Sequence, residues 1–234
     1  MKRSEINGIL RRAEKFIASR SFALPRFARF DPEKWRTLGR EWDEVRDNML
    51  GWDVTDYGHG RFSEIGLTLF TIRNGSLTDA RYSKKYAEKL LISEEGQICP
   101  MHFHFSKTED IINRGGGNLI MELWKAAPGG ELSDEAFEVS FDGERRRVVS
   151  GETVTLAPGD SVTLEPYIYH AFWAEKTATG RNRVLIGEVS SVNDDNADNR
   201  FLEPQGRFPE IEEDAPPVYL LCNEYGKYAQ SPKA

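Results

Sequence analysis

The sequence contains little of several residue types that mark particular protein classes. Its 234 residues include only two cysteines, Cys99 and Cys222, which excludes a framework of disulfide bonds. No apolar run approaches the roughly 18–20 residues that span a bilayer, and the N-terminus lacks the apolar stretch of a signal peptide. These absences predict a cytoplasmic protein with no membrane partner.

Basic residues are also fewer than acidic residues. The 31 Lys and Arg residues are outnumbered by 38 Asp and Glu residues, which gives a net charge of −7. This balance disfavours nucleic acid as a partner. Apolar residues make up 39% of the chain, and with 20 glycines the composition is that of a globular protein rather than a disordered one.

The chain divides into three stretches that we assign to one domain, residues 1–234. Residues 1–60 form a helical N-terminal extension. Residues 62–192 contain many short alternating strands separated by Gly- and Pro-containing turns, a pattern typical of a barrel or jelly roll. Residues 193–234 are polar and rich in proline, and are too few to form a core of their own. We expect them to wrap around the barrel and to end in a tail.

The N-terminal extension is predicted to contain two helices. Apolar side chains recur at helical spacing after Ser4, which can cap the first helix. The second is expected to start near Asp31 and Pro32, since proline is favoured in the first turn. Residues 51–60 are predicted to form a loop.

Histidine is scarce, and its distribution is the most informative feature of the sequence. His102 and His104 lie two residues apart, so their side chains share one face of a strand. Imidazole is the commonest metal ligand, and two on one face can bind the same ion. Glu109 lies within reach after a turn, and His170 is the natural source of a third imidazole. The fourth histidine, His59, is flanked by glycines and is expected in a loop.

A His-x-His pair alone is structural about as often as it binds metal, so the wider pattern matters. Residues 96–116 follow the first cupin motif throughout: Gly, five residues, His-x-His, four residues, Glu, six residues and Gly. Residues 158–170 resemble the second motif in part, although Ile168 stands where glycine is expected and the spacing to histidine is one residue shorter. The resemblance implies a mainly β cupin jelly-roll barrel, with the N-terminal helices packed outside. The metal ligands that it implies are His102, His104, Glu109 and His170.

The donor set limits which metal can bind. Three imidazoles and one carboxylate suit Mn, Fe, Co, Ni or Zn, and the set contains no thiolate that would favour a soft metal. Cys99 is expected to be a buried strand residue rather than a ligand. From the ligands alone the choice among these divalent ions stays open.

Longer blocks resemble one family within the cupins, the D-lyxose isomerases. The matching blocks are residues 1–7, 86–92, 107–117 and 199–214, so the resemblance extends over nearly the whole chain. It implies an aldose–ketose isomerase that interconverts D-lyxose with D-xylulose and D-mannose with D-fructose. It also implies a divalent metal, usually Mn, and a small sugar as the substrate.

The resemblance further implies site residues beyond the metal ligands. Lys89 and Glu203 are similar to the residues proposed to transfer the proton and polarise the substrate, and Lys89, Arg207 and Asp214 match substrate-binding positions. Isomerisation through an enediol needs a base and a positive centre. Since Glu109 is a ligand, a second carboxylate must be the base. By the resemblance, Glu203 is our choice of base. From spacing alone, the default for Glu203 is a solvated loop carboxylate, and the default for Lys89 is a strand residue that faces solvent.

Two other functions fit the same ligands. The chain could be an Fe(II) dioxygenase, in which Lys89 and Glu203 would be dispensable, or a sugar-binding module without catalysis. Cupin barrels commonly pair, so we predict a homodimer, although no sequence feature fixes the number of subunits.

Overall fold

The computed structural model describes residues 1–192, 194 and 197–228, and within them strands predominate. The strands are β1 (Gly51–Thr55), β2 (Leu67–Arg73), β3 (Tyr86–Glu94), β4 (Ile98–His104), β5 (Glu109–Gly116), β6 (Leu119–Ala126), β7 (Leu132–Ser133), β8 (Phe137–Phe141), β9 (Glu144–Val148), β10 (Glu152–Leu156), β11 (Ser161–Leu164), β12 (Ile168–Ala174), β13 (Arg183–Ser191) and β14 (Asn199–Phe201). The helices are α1 (Arg3–Ser19), α2 (Pro32–Arg36), α3 (Asp43–Asp47) and α4 (Tyr225–Tyr228), with short 3₁₀ helices at Arg26–Arg29 and Arg40–Trp42. None of the described helices is long and apolar enough to cross a membrane.

Two antiparallel sheets form the barrel. The larger has eight strands in the order β1-β2-β3-β13-β5-β11-β8-β9, and the smaller has the order β10-β6-β12-β4-β14 with β7 paired to β6. The inner faces of both sheets contribute to one hydrophobic core, which includes Leu69 and Ile186 of the larger sheet and Met121 of the smaller. The predicted mainly β class and jelly-roll architecture are confirmed.

Helix α1 covers the outer face of the larger sheet. Its buried residues Ile6, Leu10 and Ile17 contact a cluster that includes Phe70 and Leu185 of that sheet. Burying each such side chain contributes about 1.5–3 kcal/mol to folding. The predicted helical extension packed outside the barrel is therefore confirmed.

Two local expectations in the N-terminal extension are wrong. Helix α1 begins at Arg3, so Ser4 lies inside its first turn rather than capping it. Within residues 51–60, predicted to be a loop, the first five form β1, because β1 pairs with β2 in register, with Trp52 opposite Phe70. Propensity along the chain gives no sign of this long-range pairing.

The segment after β13 returns across the molecule. Strand β14 pairs with β4 in the smaller sheet, and Leu221 joins the cluster beneath α1. The Arg3 guanidinium, which is fully buried, forms ion pairs with Glu213 and Glu224. These ion pairs thus anchor the segment that follows β14 to the first turn of α1. The predicted tail at residues 229–234 lies outside the described residues.

Candidate metal centre

Three of the four histidines meet inside the barrel on the smaller sheet. His102 and His104 lie on β4, and His170 on β12 is paired directly opposite His102. Each offers a ring nitrogen within 4.8 Å of those of the other two, and all three side chains are buried. The pairing of β4 with β12 therefore brings His170 beside the strand face that His102 and His104 share.

Backbone carbonyls fix the orientation of two of these rings. Nδ1 of His102 lies 2.7 Å from the carbonyl oxygen of Pro100, and Nδ1 of His170 lies 3.1 Å from that of Ile168. When each Nδ1 donates its hydrogen to the carbonyl, Nε2 carries no hydrogen and its lone pair is free to bind an ion, as in many metal-binding histidines. Burial, reinforced by neighbouring imidazoles, lowers the pKa of His102 well below its usual value and the pKa of His170 to about 4. Both rings are therefore neutral at physiological pH, the form that binds metal.

Glu109 reaches the histidines from the other sheet. It is the first residue of β5, and its Oε1 lies 3.1 Å from Nε2 of His104 and 3.3 Å from Nε2 of His170. Burial alone would raise the pKa of this carboxyl, but Lys107 and His104 outweigh burial and hold the pKa well below its usual value. An ionised carboxylate therefore faces the imidazoles across the interior of the barrel.

Two charged residues of this centre were missed by the sequence analysis. The Lys107 ammonium lies 2.6 Å from Oε2 of Glu109 and 3.1 Å from Oε1 of Glu188, and that same Glu188 oxygen is 3.4 Å from the Lys89 ammonium. All four side chains are at most 5% exposed. Glu188 lies on β13 directly opposite Lys89 on β3, so the cross-strand register forms this pair. An acidic residue within an apolar strand pattern is the signal that could have identified Glu188.

The turn between β4 and β5 places Glu109 and Lys107. The carboxylate of Asp198 accepts hydrogen bonds from the backbone N–H groups of Ser106 and Lys107, at 2.8 and 2.9 Å, and from the Ser106 hydroxyl at 2.7 Å. Asp198 belongs to the segment after β13, so a distant part of the chain fixes this turn.

Other side chains complete the cavity around the centre. Lys89 and Arg207, both predicted site residues, line it, and Arg207 forms an ion pair of 2.7 Å with the buried Asp53. Phe172, two residues after His170 on β12, also lines it. Cys99 is also a lining residue, but burial raises the pKa of its thiol to about 12, so it offers no thiolate.

Glu203 and Asp214 do not line this cavity among the described residues. Glu203 is exposed in the loop after β14, a few residues before Arg207. Asp214 is exposed, and its carboxylate accepts hydrogen bonds from the backbone N–H and hydroxyl of Ser4 at 2.8 and 2.7 Å. His59 lies in an exposed turn, as predicted, and is hydrogen bonded to Gln205 beside the cavity.

The arrangement fits a divalent metal. It supplies three imidazoles and one ionised carboxylate, the set that suits Mn, Fe, Co, Ni or Zn. Nδ1 of His104 is buried without a hydrogen-bond partner among the described residues. Buried polar atoms in proteins normally have such a partner, and an exception is expected beside a site that binds an ion. The residues that would hold the ion are His102, His104, Glu109 and His170.

Two solved structures of sugar isomerases share this fold. The chain superimposes on L-ribose isomerase from Cellulomonas parahominis with a TM-score of 0.58 at 18% identity, over 91% of this chain and 98% of that one. L-ribose isomerase from Acinetobacter sp. DL28 gives a TM-score of 0.57 at 15% identity, over 90% and 98% of the two chains. At these identities the likeness establishes the cupin-type barrel alone.

Sequence comparison goes further. The chain is 52% identical to a D-lyxose/D-mannose isomerase from Serratia proteamaculans, over 97% of this chain and 99% of the relative. It is 49% identical to a D-lyxose/D-mannose isomerase from Escherichia coli O157:H7, over 97% and 100% of the two chains. The profile of the D-lyxose isomerase family matches residues 1–225. The chain therefore belongs to the D-lyxose isomerase family of aldose–ketose isomerases, as the sequence resemblance implied.

Proposed function

We propose that the protein is a metal-dependent isomerase that interconverts D-lyxose with D-xylulose and D-mannose with D-fructose. The observation that carries this proposal is the convergence of three imidazoles, two carboxylates and two lysines in one buried cavity of the barrel. The family and the names of the two relatives quoted above support the substrate class.

The proposed metal site consists of His102, His104, Glu109 and His170. A divalent ion held there supplies Lewis-acid polarisation of a carbonyl oxygen and stabilises negative charge that develops on it. Mn is the ion that the family resemblance implies, with Zn, Co, Fe and Ni as alternatives.

The reaction also needs a base that takes a proton from C2 of the aldose and returns it to C1 of the enediol. Glu188 is the carboxylate in the cavity that is not among the proposed ligands, and it lies against both lysines. We assign it the role of proton carrier, with Lys89 placed to stabilise the developing oxyanion. The resemblance implies the carrier role for Glu203 instead, and from the loop before Arg207 that side chain would have to approach the substrate from the rim.

Arg207 is proposed to bind sugar hydroxyl groups at the edge of the cavity. Its ion pair with Asp53 holds the guanidinium beside the lining residues, and its backbone carbonyl accepts a hydrogen bond of 2.7 Å from Thr55. Apolar neighbours such as Leu69 and Phe172 limit the access of water. Less water around the reacting carbons strengthens the electrostatic interactions that stabilise the enediolate.

The experiment that tests the proposal is isomerisation in D₂O. Purified, metal-loaded protein is incubated anaerobically with D-lyxose or D-mannose, and the ketose is examined by NMR. We expect conversion with deuterium at C1, since the carboxylate exchanges its proton with solvent. Conversion without any deuterium would favour a metal-assisted hydride shift, or return of the same proton from a carboxylate shielded from solvent. No conversion with any divalent metal would contradict the isomerase function.

The same assay separates the two candidate bases. Glu188→Gln removes the proton carrier inside the cavity and is expected to lower kcat by about 10²–10⁴-fold while the bound metal is retained. Glu203→Gln is the matched control, identical in chemistry and placed outside the cavity lining. A larger loss of kcat in Glu203→Gln than in Glu188→Gln would show that the role implied by the resemblance is the correct one.

The anaerobic design also distinguishes the alternative functions. A dioxygenase would require oxygen, and a sugar-binding module would bind a pentose without turnover. The homodimer and the cytoplasmic location stay predictions, which gel filtration and cell fractionation can check.

A further inference from the structure

Lys107 is the residue that connects the proposed metal ligand to the proposed base. Its side chain is 3% exposed, and its ammonium lies 2.6 Å from Oε2 of Glu109 and 3.1 Å from Oε1 of Glu188. One buried cation therefore contacts both carboxylates of the centre. A buried charge destabilises the fold unless groups of opposite charge contact it in good geometry. The two contacts of Lys107 meet this condition and hold both carboxylates in place.

The two oxygens of Glu109 face different partners. Oε1 faces the imidazoles of His104 and His170, whereas Oε2 faces the Lys107 ammonium. Charge-assisted hydrogen bonds to carboxylates are short and strong, and one at 2.6 Å keeps Oε2 turned away from the histidines. Glu109 can therefore present a single oxygen to an ion at the histidine cluster.

The position of Lys107 is itself fixed by the fold. Its backbone N–H donates to Asp198 at 2.9 Å, and the preceding residue, Ser106, donates to the same carboxylate twice. Asp198 is buried, so the turn that carries Lys107 is held from the far side by the returning segment.

We propose that Lys107 is a positioning residue that holds Oε2 of Glu109 away from the histidine cluster, so that Glu109 would offer one oxygen to an ion there, and that keeps Glu188 beside Lys89. This inference rests on the metal site of the proposed function and adds a role for Lys107 to it. Holding back Oε2 would leave room at a bound ion for a substrate oxygen, because a carboxylate can otherwise bind a divalent ion with both oxygens.

Lys89 provides the natural comparison. It contacts Glu188 at 3.4 Å and is as deeply buried as Lys107, but no contact joins it to Glu109 in the described part of the chain. Replacing Lys89 should therefore change proton transfer without changing how Glu109 binds the metal. Replacing Lys107 should change both.

The test uses Mn²⁺ as a paramagnetic probe in the whole protein. Electron spin-echo spectroscopy in D₂O reports the exchangeable waters on bound Mn²⁺, and we compare the wild type with Lys107→Met and Lys89→Met. In Lys107→Met the deuterium signal should fall, since Oε2 is released and takes the place of a water. In Lys89→Met it should match the wild type. Lys107→Gln, whose amide can still donate to Oε2, should restore the signal.

Kinetics give a second readout. Loss of a partner that orients a metal ligand typically costs about 10–100-fold, and we expect that fall in the kcat of Lys107→Met, with a smaller change in KM. If Lys107→Met does not fold, the double variant with Glu188→Gln removes the carboxylate left unpaired, and it is compared with Glu188→Gln alone.

The outcomes separate this inference from the proposed function. An unchanged deuterium signal in folded Lys107→Met would overturn the positioning role even if the wild type is an active isomerase. A reduced signal with a wild type that converts no sugar would uphold the positioning role and reject the isomerase function. A wild type that binds no Mn²⁺ would overturn both.

Discussion

Replacing Arg3 with methionine should destabilise the protein strongly, although Arg3 lies far from the metal centre in sequence. Arg3 is fully buried and forms ion pairs with Glu213 and Glu224, each through two hydrogen bonds. Glu224 is itself 2% exposed, so Arg3→Met leaves a buried carboxylate whose remaining cation among the described residues is Lys227, which is 3.4 Å away and 63% exposed. The contact also joins helix α1 to the segment that carries Arg207 past the cavity.

The size of the effect follows from the burial of each pair. Removing one partner of a buried ion pair costs about 3–5 kcal/mol. The contribution of Glu213 is small by comparison, because its side chain is 51% exposed and water screens the pair. For a domain of this size, 1 kcal/mol corresponds to about 2–4 °C, so the Tm should fall by about 6–20 °C.

Thermal unfolding followed by circular dichroism measures this fall directly. The control is the double variant Arg3→Met with Glu224→Gln, which removes both buried charges, keeps an acceptor for the Leu221 N–H and should recover most of the lost Tm. A Tm of Arg3→Met equal to that of the wild type would refute the reasoning. So would a double variant no more stable than Arg3→Met alone.

Three further predictions concern the same segment and the turn that it fixes. The hydrogen bond from Arg3 lowers the pKa of Glu213, so this stabilisation is complete above the usual glutamate pKa of about 4.3 and is lost as the pH falls through the lowered folded value. Wild-type Tm should therefore fall more steeply below that pH than the Tm of Arg3→Met. Asp198→Ala should weaken metal binding about 10–100-fold in a chelator competition, because the turn that places Glu109 loses its acceptor. Asp214→Ala should lower the Tm and leave KM for D-lyxose unchanged, whereas a raised KM would support the substrate role that the resemblance implies.

The sequence predicted the parts of the centre that depend on short-range geometry. Strand period places His102 and His104 on one face whatever the rest of the chain does. The cupin resemblance added Glu109 and His170, and the pairing of β4 with β12 brings His170 opposite His102. The fold class followed from the density of short strands and turns.

The sequence analysis missed the charges that depend on long-range pairing. Glu188 reaches the cavity because β13 pairs with β3 in the register that sets it against Lys89, and no local pattern encodes that register. Lys107 reaches the cavity from a turn that is fixed by hydrogen bonds to Asp198, a residue about ninety positions later in the chain. Strand β1 was missed for the same reason, since its partner β2 stabilises it.

Activity of metal-depleted protein is the most direct test of the central claim. Protein stripped by a chelator is titrated with Mn²⁺ under anaerobic conditions, and formation of D-xylulose from D-lyxose is followed at each addition. The account predicts no conversion by the stripped protein and activity that rises until one ion is bound per chain. Equal conversion before and after metal addition, or no conversion at any metal content, would contradict it.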